Sequence, residues 1–93
     1  MTPEVRHDQQ AHRFVAAVEG HEAYISYAIH EDGAVDLQHT FVPPELRGQQ
    51  LARLLVDAAF AYAKELGVRV IPTCSYVQRV TERVPEYAAM LRP

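Results

Sequence analysis

The chain has one cysteine and no long hydrophobic run, and each shortage excludes a class of protein. Cys74 is the single thiol among 93 residues, so no internal disulfide can form and a disulfide-stapled secreted domain is excluded. The same scarcity argues against a structural zinc site, and no metal is expected. No apolar stretch approaches the ~20 residues of a membrane span, and residues 1–10 lack the apolar core of a signal peptide. We therefore expect a cytoplasmic protein with no membrane partner.

Positive charge is also scarce overall. Nine Lys and Arg residues against twelve Asp and Glu give a net charge of −3, whereas sequence-independent nucleic-acid binding needs clustered cations. No nucleic-acid partner is expected. The charge is uneven, because residues 1–46 hold eight acids and two bases and residues 47–93 hold four acids and seven bases. This asymmetry is either a chance distribution of solvated charges or a sign that the second half meets a small anionic ligand.

Alternating apolar residues predict three antiparallel strands in the first half of the chain. The alternation covers residues 13–19, 22–30 and 34–42, with turns at Gly20 and at Asp32-Gly33 between them. On the third strand, strict alternation places His39 on the same face as Leu37 and Phe41. The two prolines at 43 and 44 then end the strand, since neither can donate to a ladder.

The hydrophobic period changes after the prolines and predicts helices. A helix is expected from about Gln49 to Leu66, ending at Gly67. A fourth strand over residues 68–73 follows this crossover helix and should pair in parallel. Ser75 and Gln78 have capping-box spacing and would open a helix to about Arg83, followed by a last helical turn over residues 86–91. With 48% hydrophobic and 23% charged residues, residues 1–93 are expected to form one α/β domain on a mixed sheet.

The loop between the third strand and the long helix has features that are typical of an anion-binding site. The first turn of a helix leaves backbone N–H groups unpaired and carries the positive end of the helix dipole. A pyrophosphate accepts hydrogen bonds from these N–H groups, and its negative charge is stabilised by the helix dipole. Arg47 adds a positive charge and Gly48 allows close backbone approach. Most strand-to-helix loops bind nothing, so these features alone leave binding and a purely structural loop open.

The same residues resemble a known family. Arg47-x-x-Gln50-x-Ala52 resembles the acetyl-CoA loop of the GNAT N-acetyltransferase superfamily. The wider sequence is similar to a small minimal branch of it, sometimes called the YjdJ-type group. The matching segments, which span about Ala23 to Tyr87, are His39-Thr40, Val42-Pro43, Arg47-Gly48, Leu51-Ala52 and Pro72-Thr73-Cys74-Ser75-Tyr76. In one departure, Gln50 stands where the loop has its first glycine, so its side chain narrows the cradle or requires a backbone adjustment.

The resemblance implies a GNAT-like fold, an acetyl-CoA cofactor and a set of site residues. The third and fourth strands would splay apart and bring His39 and Cys74 close to the bound thioester. These two are the expected catalytic residues. The residues expected to bind acetyl-CoA or CoA are Phe41, Val42, Arg47, Gly48, Gln49, Gln50, Leu51, Ala52, Ser75 and Tyr76.

Two chemistries fit this pair. His39 could be the base for direct attack of an amine on acetyl-CoA, or Cys74 could take the acetyl group first with His39 activating it. A thiol before a helix start favours the thiolate, although a lone cysteine is more often an inert buried residue. The other four histidines are interpreted as surface residues.

The expected function is transfer of an acetyl group from acetyl-CoA to an unidentified amine or protein acceptor. The alternative is a CoA-binding or protein-interaction module that keeps the fold without turnover. Gln50 and the short chain, which has no room for the additional helices and strands of larger superfamily members, favour the alternative. The pair formed by His39 and Cys74 favours the enzyme.

Overall fold

The computed structural model describes residues 3–93 and consists of a five-stranded mixed sheet with its helices packed on a common core. The strands are β1 (Val5–Asp8), β2 (Arg13–Val18), β3 (His21–Ile29), β4 (Val35–Phe41) and β5 (Val70–Ile71), in the spatial order of the chain. A 3₁₀ turn (Pro44–Leu46) precedes helices α1 (Leu51–Leu66), α2 (Ser75–Arg83) and α3 (Pro85–Ala88). β4 and β5 are parallel and every other pair is antiparallel. The α/β class, the β-meander and the parallel last strand are confirmed.

Two short turns set the register of the meander. Glu19 and Gly20 connect β2 to β3 with φ of 50° and 81°, the left-handed pair that a two-residue hairpin requires. In the next turn Gly33 has φ of 86°, while the Asp32 carboxylate accepts a hydrogen bond from the Ala34 N–H at 3.0 Å. The two predicted turns are therefore confirmed, and each uses glycine for its positive φ.

The core forms where α1 crosses the inner face of the sheet. The helix has a continuous buried stripe, and the strands contribute the residues that alternate toward it. Fully or nearly fully buried members include Phe14, Ala23, Ile25, Leu37, Leu51, Leu55, Val56, Ala59, Phe60 and Ala63. Val77 and Val80 attach α2 to the same cluster, and the Phe60 and Tyr87 rings stack at 4.1 Å to hold α3.

The first strand was not predicted from the sequence. Val5 to Asp8 pair with Ala16 to Arg13 at the edge of the sheet. The segment has four residues, and His7 supplies much of its inward contact: its ring stacks on Phe14 at 4.1 Å and its Nε2 lies 2.6 Å from the Tyr27 hydroxyl. The interpretation of His7 as a surface residue is therefore wrong.

A β-bulge in β4 overturns the predicted facing of His39. Ser26 pairs with His39 and the next residue, Tyr27, pairs with Leu37, so Gln38 is an extra residue in the strand. The insertion reverses the alternation beyond it. Leu37 is buried in the core, whereas His39 lies near Tyr24 on the opposite face, with ring centroids 6.2 Å apart.

Some element boundaries and one cap also differ from the prediction. α1 begins at Leu51, β5 is limited to Val70–Ile71, and the last helical turn is Pro85–Ala88. The capping box is wrong, because Cys74 is the N-cap of α2 and the Gln78 side chain instead donates to the Pro72 carbonyl at 2.9 Å. Across residues 3–93, no helix is both long and apolar enough to cross a bilayer.

Candidate functional site

The loop that joins β4 to α1 has an unusual backbone conformation. Gly48 and Gln50 both have positive φ, 84° and 59°. Gln50 is the N-cap of α1 and its side chain makes no capping hydrogen bond. An N-cap is normally extended and its side chain satisfies an N–H of the first turn. Here the start of α1 is left uncapped, so its N–H groups and its dipole are available to a ligand.

A notch of about 340 Å³ borders this loop. Its lining brings together six of the predicted cofactor residues and adds Leu46; the lining is Val42, Leu46, Arg47, Gly48, Gln50, Leu51 and Ala52. Arg47 is exposed and its Nε donates to the Val42 carbonyl at 3.3 Å. A Cβ added to Gly48 would meet nothing within 4 Å. Gln49 lines an adjoining recess together with Gly48, Gln50 and Arg53.

A second cleft, of about 410 Å³, lies between the start of α1 and α2. It is lined by Gln50, Arg53, Tyr76, Arg79, Val80 and Arg83, and we call it the arginine cleft. Tyr76, predicted to bind the cofactor, lines this cleft. The arginines of α2 were not predicted as site residues. Their spacing of four residues within the basic half of the chain was the available signal, since such residues share one face of a helix.

Arg53 is held in place by a half-buried network behind the arginine cleft. Its Nε donates to the Asp57 carboxylate at 2.9 Å, and the Tyr87 hydroxyl donates to the same oxygen at 2.7 Å. Hydrogen bonding to Asp57 raises the pKa of Arg53. Burial, followed by the bond to Asp57, raises the pKa of Tyr87 to about 12, so the phenol stays protonated and keeps donating.

Cys74 lies where β4 and β5 separate. The two strands pair only at Val35 with Val70 and at Asp36 with Ile71, and the Cys74 N–H then donates to the Leu37 carbonyl at 2.9 Å. Its half-buried Sγ lies 3.5 Å from the Thr40 Oγ1. Burial by itself raises the pKa of the thiol. The Thr40 hydroxyl and the first-turn N–H groups of α2 outweigh that effect and lower the pKa from its usual value.

The structure does not bring His39 to Cys74. Thr40 is the member of β4 that contacts the thiol, and neighbouring residues of a strand point to opposite faces. His39 and Phe41 instead lie beside Tyr24 on the far face of the sheet, where Phe41 is 40% exposed. Ser75 is the exposed first residue of α2.

A buried carboxylate fixes the chain immediately before Cys74. Asp36 is only 7% exposed and accepts hydrogen bonds from the Thr73 hydroxyl and, at 3.0 Å, from the His30 Nε2. This arrangement ties the β5 exit to β4 and positions the following thiol. It also gives His30 a half-buried hydrogen bond, where a surface residue was expected.

Comparisons with known proteins point to one family. The sequence profile described as GCN5-related N-acetyl-transferase matches residues 13–90. Protein NATD1 of Bos taurus is 34% identical over 96% of this chain and 82% of its own length. Protein NATD1 of Homo sapiens is 33% identical with the same coverage of each chain. The assignment to the YjdJ-type branch stays a prediction.

The fold has a counterpart among solved structures. A GCN5-like protein of Staphylococcus aureus, determined in solution by NMR, superposes with a TM-score of 0.75. The match covers 96% of this chain and 87% of that chain at 24% identity, which shows the fold alone. The expected GNAT-like fold is confirmed. The profile match, which covers most of the chain, shows that the chain belongs to the GCN5-related N-acetyltransferase family.

Proposed function

We propose that this protein binds acetyl-CoA and transfers its acetyl group to an amine. The observation that carries the proposal is the uncapped start of α1 beside the loop notch. A pyrophosphate placed there accepts hydrogen bonds from the backbone N–H groups of the loop and of the first helical turn. Arg47 supplies a positive charge next to it. The family to which the chain belongs generally uses acetyl-CoA, and the notch offers a place for its phosphates.

The parting of β4 from β5 supports a site for the acyl arm of the cofactor. Beyond the bond from Cys74 to Leu37, β4 continues without β5 beside it. Strand edges leave N–H and C=O groups that need partners. The amide groups of the pantetheine arm are suitable partners and would bring the thioester toward Cys74 and Thr40.

Two routes to the product remain, as the sequence predicted. In the direct route, the amine attacks the thioester carbonyl, CoA leaves as the thiolate, and a base takes the proton from nitrogen. In the covalent route, the Cys74 thiolate attacks that carbonyl and expels CoA thiolate, and the amine then displaces Cys74. The position of Thr40, whose hydroxyl donates to a thiolate at Cys74, supports the covalent route. The role of His39 as a base stays a prediction.

Binding is tested first, using two glycines in the same conformation. Gly48 and Gly20 both have φ near 80° and open space where a Cβ would lie, so valine strains the backbone equally at either position. Acetyl-CoA stabilises a protein that binds it only in the native state. We expect the thermal midpoint to rise with acetyl-CoA in the parent and in Gly20→Val but not in Gly48→Val. A rise that survives in Gly48→Val would place the cofactor elsewhere.

Turnover is tested with an amine panel and by mass spectrometry. Release of CoA that depends on an added amine supports the enzyme. Binding without release across the panel supports the alternative, a CoA-binding module, which the separation of His39 from Cys74 favours. One acetyl group on the protein after incubation with acetyl-CoA, absent in Cys74→Ala, supports the covalent route. Unchanged rates of amine acetylation in Cys74→Ser and Cys74→Ala would contradict the covalent route and leave direct attack of the amine on acetyl-CoA as the mechanism.

A further inference from the structure

Three arginines of this chain converge on one cleft with little negative charge to balance them. Arg53 comes from α1, whereas Arg79 and Arg83 lie one turn apart on α2. Like charges at this spacing destabilise a helix. Within residues 3–93 the arginine ion pairs involve Arg6, Arg53 and Arg92, so neither Arg79 nor Arg83 takes part in one. A protein that keeps such repulsion at a cleft gains from an anion that enters it.

The arginine cleft adjoins the loop notch, because Gln50 lines both. A ligand whose pyrophosphate rests on the loop therefore lies next to the arginine cleft. CoA has matching chemistry, since its ribose carries the pyrophosphate on the 5′ oxygen and a separate phosphate on the 3′ oxygen. Two adjacent sites of positive potential suit two phosphate groups attached to one sugar.

We propose that the arginine cleft recognises the 3′-phosphate of CoA. Arg79 and Arg83 are its chief ligands, and Arg53, held in place by Asp57, forms one side of the cleft. This inference rests on the proposed acetyl-CoA function. Guanidinium groups form paired, charge-assisted hydrogen bonds with phosphate oxygens. Asp57 already orients Arg53, whereas the α2 arginines are exposed and free to turn toward the ligand. The cleft thereby makes the protein selective for CoA over carriers that lack the 3′-phosphate.

The test is the ratio of two dissociation constants, for CoA and for 3′-dephospho-CoA, measured by calorimetry at fixed ionic strength. In the parent we expect CoA to bind about 10-fold or more tightly than dephospho-CoA, as charge-assisted contacts to one phosphate predict. In the double variant Arg79→Gln/Arg83→Gln the ratio should fall to about 2-fold or less, with dephospho-CoA affinity nearly unchanged. These are exposed helix positions, so folding should survive, and far-UV circular dichroism checks it.

The matched control removes two positive charges far from the arginine cleft. Arg6 lies on β1 and Lys64 near the end of α1, and both are exposed. The variant Arg6→Gln/Lys64→Gln has the same net charge as the cleft variant and should keep the parental ratio. A loss of preference in both would reveal a general charge effect and overturn the proposal.

The remaining outcomes separate this inference from the function on which it rests. Equal affinity of the parent for CoA and dephospho-CoA would overturn the arginine cleft as a phosphate site while leaving CoA binding intact. A preference that persists in the cleft variant would place the phosphate elsewhere. An unchanged ratio with slower acetyl transfer would assign the cleft to an anionic acceptor instead. Failure of the parent to bind either compound would overturn the acetyl-CoA function itself, and the cleft assignment with it.

Discussion

At the scale of single residues, Gln50 has a side chain at a position where the backbone conformation favours glycine. Gln50 has φ of 59° and ψ of 27°, a left-handed conformation that costs an L-residue roughly 1–2 kcal/mol. Glycine adopts it without that strain. The family resemblance places a glycine here, and the geometry gives the reason. The departure was visible in the sequence, but its cost becomes evident only from the dihedral angles.

Gln50→Gly should make the protein more stable. Relief of the left-handed strain outweighs the roughly 0.5–1 kcal/mol that the added flexibility of the unfolded chain costs. We expect the free energy of unfolding to rise by about 0.5–1 kcal/mol in urea titrations, and CoA binding to be retained or tightened. Gln49→Gly is the control, since Gln49 is not among the positive-φ residues and should lose stability. Weaker CoA binding by Gln50→Gly would reveal a direct contact from the glutamine.

The Thr40 hydroxyl is one of the groups that lower the pKa of the Cys74 thiol. Because the Thr40 hydroxyl favours the thiolate, Thr40→Val should raise the pKa of the thiol, and Thr40→Ser should leave it lowered. The pH dependence of alkylation reports this pKa. We expect its midpoint in the folded parent to lie below that of the urea-unfolded protein, and to move upward in Thr40→Val. Identical profiles for Thr40→Val and the parent would contradict the assignment.

At the scale of elements, the sequence predicted the strands and helices that have a long hydrophobic pattern. It missed the features that depend on contact with a neighbouring element. Strands β2 to β4 and helices α1 and α2 were found, because several turns or alternations reinforce each one. β1 was missed since four residues, VRHD, carry too little pattern. The bulge at Gln38 was missed because register is a property of two strands. His39 was consequently placed on the wrong face, and the arginine cleft depends on a packing of α1 and α2 that no local pattern contains.

The attachment of β1 should weaken in acid because of His7. Burial lowers the pKa of His7, with the nearby His12 acting in the same direction and Asp8 opposing it. As the pH falls, His7 therefore binds a proton first in the unfolded state, where its pKa is about 6.5. The contribution of His7 to the stability of the fold is complete above that pKa. It is lost as the pH falls through the lower pKa of the folded state.

We therefore expect the temperature of the thermal unfolding midpoint to decrease as the pH is lowered from about 7 to about 5. His7→Phe should flatten part of that slope, since phenylalanine can stack on Phe14 without titrating. The exposed His21, changed to glutamine, is the control and should leave the slope unchanged. A parental slope retained by His7→Phe would show that another group causes the acid sensitivity.

At the scale of the whole molecule, one core supports both the sheet and the site. Leu55 is fully buried, whereas Leu66 on the same helix is 51% exposed. Leu55→Ala should cost about 2–5 kcal/mol, a large share of the ~5–15 kcal/mol that stabilises a small domain. Leu66→Ala should cost about 0.5 kcal/mol or less. Urea unfolding measures both, and similar losses would mean that the core does not centre on α1.

The spatial order of the strands has a consequence for folding kinetics. β1 to β4 join only through neighbours in the sequence, and such local pairing closes small loops and folds rapidly. Within residues 3–93, the pairing of β5 with β4 is the one strand pairing that spans α1, and it builds the surroundings of Cys74. If the meander forms before that junction, the transition state lacks the proposed cofactor site. Acetyl-CoA should then slow unfolding while leaving the refolding rate almost unchanged.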